Sequence, residues 1–231
     1  MQFTIPSPPV HTLSISSRGE RFPVYRVFCV GRNYAAHARE MGKDPTREPP
    51  FFFMKPTASV IDASRPVTLR YPTQTQNFQY EVELVVAIGA RCINATVESA
   101  LDCVFGYAVG LDMTRRDLQL EARDKGRPWE FGKSFAGSAP IGPIHEVASI
   151  GHPSSAAIRL DVNGATKQLS DISKLIWSIA ECIAHLSAYD PIQPGDLIMT
   201  GTPEGVGPVV PGDVMVAEIA GLGQIRGSVV R

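Results

Sequence analysis

Between Tyr80 and Ile88 the side chains alternate in a way that predicts a strand with two unlike faces. Val82, Leu84, Val86 and Ile88 fall on one face; Glu81, Glu83, Val85 and Ala87 fall on the other. Shorter apolar runs predict further strands at Val24–Val30, Phe51–Met54 and Val104–Leu111, and a β-rich tail over Asp196–Thr200, Asp213–Ile219 and Gln224–Val230. Ile158–Val162 and Thr166–Leu169 flank Asn163-Gly164, a strong hairpin signal. Helical spacing is rarer. Asn33–Met41 reads as a short helix, with Asn33 as N-cap and Gly42 as stop. Thr96–Leu101 reads as a helical turn, and Thr114–Lys125 as a polar helix ending at Gly126. Apolar positions 172, 175, 176, 179, 183 and 186 predict a helix over Ile172–Leu186. Residues 1–24 read as an extended, proline-rich arm or short strand, leaving 25–231 as one domain. Many strands with few, short helices predict an α+β fold dominated by sheet.

Composition narrows the function classes. A formal charge of −1 gives no general attraction for nucleic acid or anionic membrane. The start lacks the basic and long apolar regions of a signal peptide, and no run of about 18 apolar residues exists. The expectation is a cytoplasmic protein acting on a small molecule, with neither nucleic acid nor membrane as partner. Cys29, Cys92, Cys103 and Cys182 contain no C-x-x-C pair, so zinc-ribbon and thioredoxin-like readings fail on spacing.

The Tyr80–Ile88 strand raises a chemical question. Glu81 and Glu83 are either a solvated edge or two carboxylates held side by side near a core. The second choice gains support because Val85 and Ala87 continue their face with apolar residues. Parallel buried carboxylates repel unless a proton or cation lies between them. Asp112, just past Val104–Leu111, is placed to join the pair. Three carboxylates suit a hard cation such as Mg²⁺ or Mn²⁺ and leave positions for water and substrate.

Two phosphate-loop readings are excluded. Gly126–Ser134 puts five residues between Gly126 and Gly132 where a Walker loop has four, and Gly201–Gly207 lacks G-x-G-x-x-G spacing. No G-x-S-x-G elbow surrounds Ser134. His37 and Glu40, three apart on the expected helix, are either an acid–base pair or a surface ion pair. Lys133 is either an oxyanion or substrate cation or a lysine whose stem covers apolar surface.

The segments CVGRNYAAHAREMG, PPFFFMKP, YEVELVVAIG, GYAVGLDMTRRDLQ, PWEFGKSFAGSAPIGP and PGDLIMTGTPEGVGPVVPGD, in that order, resemble the fumarylacetoacetate hydrolase family from about Tyr25 to the C-terminus. The resemblance implies a β-rich mixed-sheet fold of the fumarylacetoacetase C-terminal-domain type and a homodimer. It also implies a Mg²⁺ site, with Mn²⁺ or Ca²⁺ as substitutes, made by Glu81, Glu83 and Asp112. It makes His37 and Glu40 a catalytic dyad on a lid helix, and Arg116, Gln119, Lys133 and Thr202 substrate contacts. QNFQYEVEL, RPWEFGKSF, SDISKLIWS and TGTPEGVGPVV are most similar to the branch that hydrolyses fumarylpyruvate in aromatic-acid breakdown. For that substrate Arg32 or Arg116 would meet the far carboxylate. Acylpyruvate hydrolysis and oxaloacetate decarboxylation are the alternatives the family implies.

Overall fold

The computed structural model describes residues 3–41 and 48–231. Its largest sheet has eight strands. Val82–Ile88 runs through its middle, antiparallel to Val104–Leu111 on one side and to Leu197–Met199 on the other. Leu197–Met199 also pairs in parallel with Val27–Gly31, which pairs with Phe51–Lys55 at the edge. Beyond Val104–Leu111 lie Ala139–Ile141 and, parallel to it, Val60–Asp62. The sheet is therefore mixed.

Both faces of the central strand are covered, as the alternation requires. Val82, Leu84, Val86 and Ile88 meet Ile158, Leu160, Ala217 and Ile219 of a second, five-stranded sheet in one apolar cluster. Val85 and Ala87 join Val27, Leu197 and Met199 in another. Leu13, Ile15 and Phe22 close this second cluster. They come from a hairpin, Thr12–Ile15 with Arg18–Pro23, inside the stretch expected as an arm or short strand. Asn163 and Gly164 turn the Ala157–Val162/Ala165–Asp171 hairpin with φ of 51° and 80°, the left-handed pair such a turn demands.

Four local expectations change. The strand expected over Tyr80–Ile88 is two: Phe78–Tyr80 and Val82–Ile88. The break falls at Glu81 because the chain changes partners there, from Thr114–Arg115 and Gly207–Pro208 to the large sheet. Thr114–Arg115 is accordingly strand, and the helix begins at Arg116 and ends at Asp124. The helical stripe over Ile172–Leu186 is also interrupted. Ile172–Lys174 is one short turn, and the helix proper, Ile179–Tyr189, starts after Ser178, which forms a capping box with Glu181. Buried Ile172 is apolar because it packs, not because it is helical. The turn expected at Thr96–Leu101 forms at Ala100–Cys103.

The short helix in the N-terminal third of the chain spans Ala35–Glu40 and is preceded by Tyr34 in extended conformation. Asn33 does not cap it. Its amide instead donates to Trp177 O and Thr200 O, and its Oδ1 accepts from the Trp177 N–H, tying this helix's entry to two distant loops. The stop expected at Gly42 lies outside the described residues.

Candidate functional site

The partner change at Glu81 shapes the site. Glu81 occupies the joint between two ladders, and its carbonyl accepts the Asp112 N–H at 2.9 Å, so the third acid is fixed beside the first by the backbone. Glu83 follows two residues later, opposite Gly110. Glu81, Glu83 and Asp112 each bring a carboxylate oxygen within 4.8 Å of the others, and all three are buried.

Cations surround this trio unevenly. Lys133 Nζ bonds to Glu81 Oε2 at 2.7 Å, Asp112 Oδ2 at 2.6 Å and Thr114 Oγ1 at 2.7 Å, which uses its three protons. Arg116 also bonds to Glu81. Lys55, wholly buried, stands 2.8 Å from Asp112 Oδ1, yet that oxygen has no well-aligned hydrogen bond. Glu83 receives only the Gly201 N–H, at 2.9 Å, and has no cation contact among the described residues.

The ionisation pattern follows. Burial would raise the Glu81 carboxyl, but Lys133 and Arg116 outweigh it and hold the group below the usual carboxylate range. Burial likewise opposes charge on Lys133, and Asp112 with Glu81 reverses this, raising the ammonium. At Glu83 burial and the neighbouring Asp112 and Glu81 charges all push upward, well above the usual range. Three carboxylates, one of them without a direct cation contact among the described residues, therefore converge on a shared centre. A hard divalent cation fits that centre: it supplies the positive charge that Glu83 lacks, to donors of matching chemistry.

The carboxylates form the floor of a partly open pocket whose walls include Arg32, His37, Arg116, Gln119, Lys133 and Thr202. Nine of the ten residues singled out from the sequence thus share one pocket. The tenth, Glu40, stands behind His37: its Oε2 is 3.1 Å from His37 Nδ1, and both of its oxygens accept the Gly205 N–H. The bond to His37 is the main reason the Glu40 carboxyl lies below its ordinary value. Gly205 has φ +92°, and a Cβ there would come within 2.0 Å of Lys167 O, so a side chain at this position would dislodge the amide that holds Glu40.

Several roles look different once placed. Lys133 has no proton left for an oxyanion unless one of its three bonds opens. Arg116 is committed to Gln79, Gln119 and Glu81, which removes it as the free cation for a far carboxylate. Its grip on Gln119 Oε1 orients that amide and leaves the –NH₂ as donor. The Thr202 hydroxyl donates to Val82 O and accepts from Gln168. Sequence reasoning passed over Lys55, Gly201, Gly205 and Arg123. Only Lys55 carried a signal, a lysine closing the apolar run Phe51–Met54; backbone donors such as Gly201 and Gly205 leave none.

A model of the fumarylacetoacetate hydrolase C-terminal region matches residues 26–230. The chain belongs to the fumarylacetoacetate hydrolase family. Within it, a fumarylpyruvate hydrolase from a Ralstonia species is 46% identical over 182 residues, 79% of this chain and 93% of that protein. The crystal structure of a Pseudomonas aeruginosa fumarylpyruvate hydrolase, in complex with Mn²⁺ and pyruvate, superimposes with a TM-score of 0.95 at 52% identity, covering 99% of both chains. A mitochondrial oxaloacetate tautomerase from Bos taurus is 41% identical over 85% of this chain and 87% of its own length. The β-rich mixed-sheet fold of the family is thereby shown for this chain, and its buried carboxylate trio has the donor set that could hold a divalent cation. No helix among the described residues is long and apolar enough to cross a membrane.

Proposed function

We propose that this family member hydrolyses a carbon–carbon bond in a 2,4-dioxo acid, with fumarylpyruvate giving fumarate and pyruvate as the best-fitting case, acting as a Mg²⁺- or Mn²⁺-dependent homodimer. The observation that carries the reading is the meeting of the buried carboxylate trio and His37 in one pocket, with Glu40 behind the imidazole. The similarity to fumarylpyruvate hydrolases over nearly the whole chain supports the substrate.

A divalent ion held by Glu81, Glu83 and Asp112 supplies a Lewis acid and a template for the oxo-acid end of the substrate. Glu40 holds His37 at Nδ1, which fixes the tautomer and leaves Nε2 as the base that removes a proton from water. The hydroxide adds to the distal carbonyl carbon. The Gln119 –NH₂ donates to the oxyanion, a contact of the kind worth about 3–4 kcal/mol. Collapse breaks the bond to the methylene carbon, whose electron pair takes back the proton from His37, so water is consumed and two acids leave. Lys133 keeps Glu81 and Asp112 in register, and Phe53, Leu120 and Trp129 on the pocket wall exclude solvent.

A second reading is favoured by the relatives named oxaloacetate tautomerases, from Bos taurus and, at 38% identity, Escherichia coli. The same base and floor could move a proton between carbon and oxygen of oxaloacetate without adding water. Incubating the purified protein with Mn²⁺ and each acid, and following fumarate plus pyruvate against enol–keto conversion by NMR, tests both. Metal-dependent cleavage of fumarylpyruvate is expected. An intact dioxo acid alongside rapid oxaloacetate conversion would overturn the hydrolase reading.

A further inference from the structure

A dicarboxylic dioxo acid needs a cation at the end remote from the carboxylate floor. Arg116 and Lys133 are spent on floor groups, and Lys55 is buried beneath them. Among the described residues two pocket cations remain, Arg32 and Arg123. Arg32 sits in the left-handed region (φ 57°) with its guanidinium 5.3 Å over the Phe51 ring.

Arg123 is placed by the helix Arg116–Asp124. Arg116, Gln119, Leu120 and Arg123 all line the pocket, and they stand at i, i+3, i+4 and i+7, one face of that helix. The face runs from the floor outward. Arg116 grips Glu81, Gln119 presents its amide one turn on, and Arg123 follows about 10.5 Å from Arg116 at 1.5 Å per residue. An extended seven-carbon dicarboxylate whose oxo-acid end lies on the floor points its other carboxylate along this face.

Arg123 is also available. Its Nε and Nη2 share a single oxygen of Asp124 at 2.9 Å, and Nη1 takes no part in that pair. Asp124 is its immediate neighbour in sequence, with a side chain 64% exposed, and such pairs are worth about 0–1 kcal/mol. A substrate carboxylate can take the guanidinium over at little cost and gain a two-pronged, charge-assisted contact.

We infer that Arg123 is the specificity-determining residue that receives the distal carboxylate, selecting dicarboxylic dioxo acids over monocarboxylic acylpyruvates. The inference rests on the dioxo-acid reading above and deepens it. Its test is steady-state kinetics of the Mn²⁺-loaded protein on fumarylpyruvate and on acetylpyruvate, which lacks the far carboxylate. Wild type, Arg123→Gln, Arg123→Lys and Arg32→Gln are compared. In Arg123→Gln the ratio of kcat/KM for fumarylpyruvate to that for acetylpyruvate should fall by about tenfold or more, mainly through KM, with partial recovery in Arg123→Lys. An unchanged ratio in Arg123→Gln, or its loss in Arg32→Gln alone, would overturn the inference while leaving the dioxo-acid reading intact. A wild-type protein inert toward both acids would instead overturn that reading, and the inference with it.

Discussion

Glu83 is the residue on which the proposed metal site turns, because alone of the trio it has no direct cation contact among the described residues. Glu83→Gln keeps the shape and the Gly201 N–H contact but removes an anionic ligand. Mn²⁺ affinity measured by calorimetry should fall by at least about tenfold, while thermal unfolding without metal should occur at the same or a higher temperature, since an unfavourable buried charge is gone. Unchanged Mn²⁺ affinity would remove Glu83 from the ligand set. The direction of the pH effect follows from the same group. A carboxyl raised by folding holds more protons in the native than in the unfolded state between its ordinary and its raised value. Metal-free stability therefore falls as pH rises through that window. Mn²⁺ competes with the proton, so its affinity and the increase in Tm on its addition should both grow with pH over that window. A Tm increment flat with pH would contradict the assignment.

At the scale of elements, the site depends on how closely two helices approach. Glu130–Lys133 lies against Arg116–Asp124, and a Cβ on Gly132 would come within 2.8 Å of Gln119 N, Cα and Cβ. Backbone atoms cannot step aside as a side chain can. Gly132→Ala should destabilise the fold by about 1–3 kcal/mol in urea unfolding. It should also lower kcat, because Gln119 and Lys133 ride on the two helices that must separate. Full activity with wild-type stability would show that the contact is softer than its geometry. This closeness had no sequence signature, since one glycine in G-K-S reads equally well as a turn. What was legible were features set by local periodicity: Val104–Leu111 occurs with the expected bounds, and the two-faced strand holding Glu83 buries both faces. The helix expected from Ile172 is interrupted because Ile172, buried in a single short turn, and half-buried Leu175 and Ile176 after it have helical spacing by coincidence, whereas Ser178 and Glu181 mark the true start.

Over the whole molecule, the large sheet is clamped between two apolar layers, one of them closed by the Thr12–Pro23 hairpin. Leu13 is fully buried there, and Leu13→Ala should cost about 2–5 kcal/mol, read as a lower urea midpoint. Wild-type stability would mean the hairpin is dispensable to the fold. The pairing of distant segments was the part least visible beforehand. Nothing near residue 81 announces Thr114–Arg115 or Gly207–Pro208 as its neighbours. The ordered motifs nevertheless marked ten residues that the fold gathers into one pocket or directly behind it.

The two tryptophans occupy informative places. Trp129 lines the pocket, whereas Trp177 holds both Asn33, ahead of the His37 helix, and the Glu48 carbonyl beyond it. Ligand arrival in the pocket and any displacement of the His37 segment would thus each act on a separate intrinsic fluorophore. Emission from single-tryptophan variants can time the two events independently, without attaching a dye.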